Sequence, residues 1–294
     1  MILVTGAGGK TGKAVVRKLS GHGANVRAWI HGVHQEGEIK QLGAEDVIIG
    51  DLRDSDIMKC SCKDIEAVYH ICPNMSPDEV EIGKSLLLAA RNSGVSHFVY
   101  HSVLHAQVQA MPHHWKKMLV EEQIFSSGIN FTILQPTAYY QNLLAYWPRI
   151  ISEGIFEVPY AVDTRLGMVD LEDVAAAAAV VTNNPDFFGG TFELVATPAY
   201  TQTEIAQIIE SQIGQPVEPV KVSRKVWETH ARQSSMSEYA VQTLLKMFEY
   251  YEEYGMWGNP HVLESILRRK PHSLTDFIDR LIHSQSHRNE AGNG

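Results

Sequence analysis

Thr5-Gly6-Ala7-Gly8-Gly9-Lys10-Thr11-Gly12 places three glycines at intervals of three, directly after the apolar run Ile2–Val4 and before a helical pattern that starts at Lys10. At a strand-to-helix turn this spacing has a defined chemistry. Gly6 allows the tight turn, Gly8 or Gly9 lets the backbone approach a pyrophosphate, and Gly12 lets the helix pack close to the sheet. The helix N-terminus then aims N–H groups and a positive dipole at the phosphates, so the turn predicts a dinucleotide site. A nucleotide-triphosphate loop is the rival, because Gly9-Lys10-Thr11 resembles its end. That motif needs a glycine five residues before the glycine of its Gly-Lys pair. Val4 stands there for Gly9, Ala7 stands there for Gly12, and Ala14 replaces the hydroxyl that would hold magnesium. The rival is rejected.

The next chemical signal is the end of the second strand, where an NAD enzyme usually places an acid against the ribose 2′-hydroxyl. Val26-Arg27-Ala28-Trp29-Ile30-His31-Gly32-Val33-His34 contains none. Arg27, His31 and Lys10 are candidates to meet a 2′-phosphate, which favours NADP, with NAD as the alternative. Arg27 also reads as a plain exposed strand residue.

Other reactive residues say less. His101, His105, His113 and His114 fall close in sequence, but no thiol or carboxylate joins them and the segment between reads as loop, so no metal site is expected. Cys60, Cys62 and Cys72 are too few and too oddly spaced for a disulfide framework or a zinc site, and Cys72 reads as a buried thiol. The aromatic stretch from Phe248 to Trp257 reads first as packing.

The elements that must position these residues follow from hydrophobic spacing. Apolar runs at Ile2–Val4, Val26–Ile30, Val47–Ile49, Ala67–Ile71, His97–Tyr100 and Phe131–Leu134 alternate with helical patterns at Lys10–Leu19, near Leu42, at Glu79–Asn92 and at Trp115–Phe125. Such alternation predicts βαβ units, right-handed crossovers and a doubly wound parallel α/β sheet of Rossmann-like type. Residues 1–150 form that dinucleotide-binding unit, and residues 151–294 a smaller, mainly helical lobe for substrate or partner. Residues 168–182 are expected to pack back on the first unit. Gln202–Ile213 is an amphipathic helix whose cap Thr201 and whose Glu204 make a capping box. Ser284–Gly294 reads as a frayed tail.

Composition narrows the class. The 294 residues are 44% hydrophobic and 20% charged, which excludes wholesale disorder. A net charge of −9 leaves no overall basic footprint for nucleic acid. No apolar run approaches the length of a membrane span, and the first residues enter a strand rather than a secretory leader. The expectation is a cytoplasmic protein, monomer or homodimer, with a small-molecule substrate or a regulatory protein partner.

With these residues assembled, the sequence resembles the NmrA-like family, an atypical branch of the short-chain dehydrogenase/reductase superfamily. The resemblance runs to about Ile282. It rests on Gly6-x-x-Gly9-x-x-Gly12, Gly50-Asp51-Leu52, Lys117 with Glu121-Glu122, Phe131 to Pro136 with Asn142, Val169 to Ala175, and Lys270 to Phe277. It implies that Asp51 and Leu52 flank the adenine, and that Ile71, Cys72 and Pro73 line the cofactor groove. His101, Ser102 and Val103 would border the nicotinamide. The loop from Pro136 through Tyr139 and Tyr140 to Asn142 would touch nicotinamide and substrate, although packing is the plainer role of both tyrosines.

Ordinary members of the superfamily carry Tyr-x-x-x-Lys after the fifth strand, on one helix face. Lys117 is in place, but the residue four earlier is His113 and no tyrosine occurs from Met111 to Lys117. Three readings follow. His113 or His114 supplies the proton; the acceptor is a quinone or cationic dye that needs no side-chain donor; or the protein binds the dinucleotide without turnover, as a redox sensor acting through a partner. The favoured reading is NAD(P)H-dependent hydride transfer to a small quinone-like or aromatic acceptor. Lys117 also reads as a surface lysine paired with Glu121, and the histidines as simple first-turn residues.

Overall fold

The computed structural model describes residues 1–291, and residues 292–294 lie outside it. In chain order the strands are β1 (Ile2–Val4), β2 (Val26–Ile30), β3 (Asp46–Ile49), β4 (Ala67–His70), β5 (His97–His101), β6 (Phe131–Pro136), β7 (Ala138–Tyr139), β8 (Ile155–Val158), β9 (Met168–Val169), β10 (Gly190–Leu194) and β11 (Glu218–Lys221). The helices are α1 (Lys10–Gly21), α2 (Glu36–Gln41), α3 (Ser55–Ser61), α4 (Glu79–Asn92), α5 (Pro112–Phe125), α6 (Trp147–Glu153), α7 (Leu171–Thr182), α8 (Gln202–Ile213), α9 (Arg224–Gln233), α10 (Glu238–Tyr254), α11 (Pro260–Leu267) and α12 (Leu274–Ala291).

Seven parallel strands form the central sheet in the order β10-β6-β5-β4-β1-β2-β3. This is the doubly wound α/β fold expected of the strand–helix alternation. The order reverses between β1 and β4, and in open sheets of this kind the crevice beyond the carboxyl ends at that point takes the ligand.

Two apolar layers cover the sheet. On one face Val15, Val16 and Leu19 of α1 meet Val174, Ala175, Ala178 and Val181 of α7. The run of five alanines, Ala175 to Ala179, keeps α7 slim enough to lie against the sheet. On the other face Met58, Ile82, Leu86, Val120 and Ile124 pack under α3, α4 and α5.

Val174, Ala175, Ala177, Ala178 and Val181 of α7 lie in the core of the sheet, β10 adds the seventh strand, and Leu263 and Ile266 of α11 join the same core. What remains of the C-terminal lobe has its own core around Tyr140, Trp147, Phe156, Ile205, Ile209 and Phe277. Leu104 and Met111 after β5 meet Val195 after β10 and Tyr251 of α10, which welds that lobe to the sheet. The expected frayed tail is helical as far as Ala291, and only residues 292–294 of it lie outside the described residues. Among the described residues no helix is long and apolar enough to cross a membrane.

Candidate functional site

The glycine turn is built as its spacing requires. Gly6 has φ +61°, and a Cβ there would lie 2.7 Å from the carbonyl oxygen of Ile71. A Cβ on Gly12 would lie 2.3 Å from the carbonyl oxygen of Gly6. Backbone thus fills the space that side chains would need, and α1 comes right up to the turn. Its N-cap, Gly9, offers no side chain to the first N–H groups of the helix, and its first turn holds no acid. The cradle fits a phosphate chemically: a positive helix end whose first N–H groups receive no side-chain cap among the described residues. Thr5 fixes the neighbouring rim. Its hydroxyl accepts from the Ile71 N–H at 3.0 Å and donates to the Ile71 carbonyl at 3.1 Å, which joins the ends of β1 and β4.

Beyond the end of β3, Asp51 is held by Arg53 through the guanidinium at 2.6 Å and the backbone N–H at 2.8 Å. These bonds keep its carboxyl well below the usual range. His31 is exposed at the end of β2. Leu52 is buried against α3. Lys10 is exposed beside the turn and Thr11 half-buried. Gln35 was not legible as a site residue. Its amide accepts from Gly32 N–H and donates to the Gly8 carbonyl, so that a Cβ on Gly8 would strike it. Arg27 is a correction. It lies at the start of β2, where Nε pairs with Asp46 at 2.6 Å and Nη1 donates to the carbonyls of Ser61 and Lys63. Its guanidinium is therefore spent at the end of the sheet opposite the glycine turn.

The opposite end of the crevice gathers Lys117, His101 and Tyr139. Lys117 Nζ donates to the His101 carbonyl at 3.1 Å and to Glu79 Oε1 at 3.1 Å, and sits 5.2 Å from the centre of the Tyr100 ring. Its side chain is 16% exposed, so it is not the surface lysine of the plainer reading. Tyr100 also donates to Glu79, at 2.7 Å. Burial pushes the Glu79 carboxyl up, but Lys117 and Tyr100 outweigh it and hold the group below its ordinary value. Glu79 escaped the sequence reading because it looks like an ordinary acid at a helix start; its partner stands 38 residues away.

His101 bridges two phenols, with Tyr69 2.8 Å from Nδ1 and Tyr139 2.8 Å from Nε2. Thr11 of the glycine turn lies near the Tyr139 phenol, which burial raises to about 12. Burial, with Lys117 nearby, depresses His101 to about 3. His113 stands at the tyrosine position with Nδ1 enclosed and unpartnered, and burial and its neighbour His114 depress it to about 2. His114 faces the His105 carbonyl, and burial brings it to about 4. These imidazoles are neutral bases of little use as acids near neutrality.

Ile71 is half-buried at the groove, Cys72 buried and Pro73 exposed. Burial pushes the Cys72 thiol up, as a structural thiol requires. Ser102 is another correction, because its hydroxyl is buried and donates to Glu121, which also accepts from Gln135 at 2.9 Å. Only its backbone is left to border a ligand. Pro136 closes β6 and accepts from Leu104 N–H at 2.9 Å. Tyr139 and Tyr140 part company. Tyr140 is fully buried against Phe277, in the core of the C-terminal lobe, and is no substrate contact. Asn142 is exposed on the helical turn that follows. Tyr239 of α10 also reaches the site. Its ring lies 5.4 Å from Lys116 Nζ, and its hydroxyl is enclosed near enough to Glu79 to feel that charge. Among the described residues no three His, Cys, Asp or Glu side chains are placed to hold a metal.

The model of the NmrA-like family matches residues 1–284. An NAD(P)H azoreductase of Xenophilus azovorans is 28% identical over 225 residues, which is 76% of this chain and 77% of that protein. The crystal structure of an Escherichia coli NADPH-dependent quinone oxidoreductase with NADPH aligns with a TM-score of 0.84 at 22% identity, over 96% of this chain and all of that one. That of NmrA, a negative transcriptional regulator, with NAD aligns with a TM-score of 0.79 at 17% identity, over 98% and 97%. With the glycine turn, the strand order and the C-terminal motifs all accounted for by one family pattern, the chain belongs to the NmrA-like family.

Proposed function

We propose that the protein is an NAD(P)H-dependent oxidoreductase that passes hydride to a small quinone-like or aromatic acceptor without a catalytic tyrosine. The observation that carries this is Lys117, whose ammonium is pinned at the carboxyl end of β5, on the same edge of the sheet as the glycine cradle. The bound nicotinamide would supply the hydride. The N–H groups at the start of α1 hold the pyrophosphate, and Lys117 has one donor left for the nicotinamide ribose. NADP is the favoured cofactor, since no acid stands at the end of β2 and His31 and Lys10 are exposed there. NAD is the alternative.

The acid side of the chemistry selects the acceptor. Burial keeps His101, His113 and His114 neutral, and Tyr139 is bonded to His101 with its phenol raised by burial. None supplies a proton readily near pH 7. An acceptor that becomes a weakly basic anion takes its proton from water, and a cationic acceptor that becomes neutral on gaining hydride needs none. Quinones and cationic dyes meet these conditions and simple ketones do not. The resemblance to azoreductase and quinone oxidoreductase supports this class.

The alternative is a non-catalytic redox sensor that acts through a protein partner. It draws on Tyr139, whose phenol is fixed as a wall of the crevice, and on the likeness to the NmrA regulator. Calorimetric titration with NADPH, NADH, NADP and NAD, followed by stopped-flow oxidation of the bound reduced cofactor against a quinone panel, separates the two. Binding with rapid oxidation, slowed in Lys117→Ala, is expected. Binding without turnover across the panel gives the sensor, and no binding defeats both readings.

A further inference from the structure

Glu79 has no part in the reading above, yet it joins the two elements that carry Tyr100 and Lys117, β5 and α5. It is the first residue of α4 and is 4% exposed. Lys117 of α5 and Tyr100 of β5 both donate to its Oε1, at 3.1 and 2.7 Å. The Cys72 thiol, after β4, lies close enough for the Glu79 charge to push it up. The loop before it is fixed too, because Lys116 Nζ donates to the Pro77 carbonyl at 2.5 Å.

An ammonium group has three donors. Lys117 spends one on Glu79 and one on the His101 carbonyl, which leaves one. The lysine stem has four rotatable carbons and does not choose a direction by itself. The two bonds choose it, and of the two only the carboxylate is charged. In the ordinary Tyr-x-x-x-Lys arrangement both groups stand on one helix face. Here the tyrosine position is His113, and the group paired with the lysine comes from the helix opposite.

We propose that Glu79 is a positioning residue that aims the free donor of Lys117 at the nicotinamide ribose, so that this chain works with a Glu–Lys pair across two helices. The proposal rests on the dinucleotide reading.

Binding of NADPH by calorimetry tests it in the full-length protein, with wild type, Glu79→Gln, Lys117→Met and the double variant. Glutamine keeps the shape and an acceptor for Tyr100 but removes the charge. One charge-assisted bond is worth about a tenfold change in affinity, so each single variant should bind NADPH about tenfold more weakly. The double variant should bind no more weakly than Lys117→Met, because without the ammonium there is nothing to aim. A merely structural glutamate would lower the melting temperature in both backgrounds and would show no such coupling. If Glu79→Gln does not fold, Glu79→Asp takes its place: it keeps the charge one methylene short, and it must weaken NADPH binding only where Lys117 is present. Wild-type affinity in the Glu79 variant, or losses that multiply in the double variant, overturn the proposal. A wild-type protein that binds no dinucleotide overturns the cofactor reading along with it.

Discussion

Lowering the pH from 7.5 to 5.5 should cost this protein much of its stability, and the cause is four histidines. His70, His101, His113 and His114 are depressed from 6.5 to about 4, 3, 2 and 4, in each case first by burial. The unfolded chain takes up protons on these rings as the pH falls through 6.5, and the folded chain does not. Their contribution is therefore fully present above 6.5 and is lost as the pH falls towards the folded values. At pH 5.5 an exposed imidazole is about nine-tenths protonated, so each ring removes about 1.3 kcal/mol between the two pH values. That figure is set by the unfolded value and holds wherever the folded value lies below about 4.5.

Four such rings remove about 5 kcal/mol, against a total of roughly 5–15 kcal/mol for a folded domain. Glu121, which burial raises, opposes this with one group. Urea unfolding at the two pH values measures the difference, and the slope near pH 5.5 should correspond to the uptake of about 3 to 4 protons on unfolding. A change below about 1 kcal/mol with an unaltered m-value would show that the rings are not held neutral. The exclusion of imidazolium acids from the chemistry would then go with it.

Gly12→Ala should abolish dinucleotide binding in calorimetry and destabilise the fold by about 1–3 kcal/mol, because the new methyl group meets the Gly6 carbonyl rather than a side chain that can turn away. Asp173→Ala should cost about 3–5 kcal/mol in chemical unfolding, since this fully buried carboxylate accepts from Arg269 at 2.6 Å and from the His272 N–H at 2.6 Å. Tyr140→Phe should leave the acceptor KM unchanged, whereas Tyr139→Phe, which frees His101, should alter it. Arg27→Ala should lower stability without moving the ratio of NADPH to NADH affinity, and a shift in that ratio would return Arg27 to the ribose site.

What the sequence disclosed was decided by range. The glycine turn was legible because every atom it needs lies within eight residues. Lys117 was legible by its place after the fifth strand. The misreadings share another cause. Arg27 has the right chemistry on the right strand, but position along a strand decides which end of the sheet a side chain reaches, and Arg27 stands near the wrong one. Tyr139 and Tyr140 are neighbours, and as the chain leaves β7 for a helical turn one phenol goes to the crevice and the other to the lobe core. Ser102 looked available because Glu121, its partner, is 19 residues distant. Glu79, Gln35 and Tyr239 carried no local signal, since each acquires its role only from contacts the fold creates. The short elements α3, α6 and β8 were missed because seven residues or fewer hold too little periodicity.

A polar seam shows why the second lobe bears on the first. Asp170 caps α7 through the Glu172 N–H at 3.0 Å, accepts from Gln141 at 2.8 Å and pairs with Arg280 of α12. Gln141 returns an acceptor to the Leu171 N–H at 3.1 Å. One buried carboxylate therefore joins the α7 layer of the sheet, the C-terminal helix and the helical turn that follows Tyr139. Tyr139 reaches back to Thr11 at the glycine cradle and to His101 beside Lys117. The placement of the phenol at the crevice thus depends on where α12 docks, some 140 residues later in the chain. The family's two motifs around Val169 and Lys270 sit at the two sides of this seam, and their spacing is explained by the contact they make rather than by any chemistry of their own.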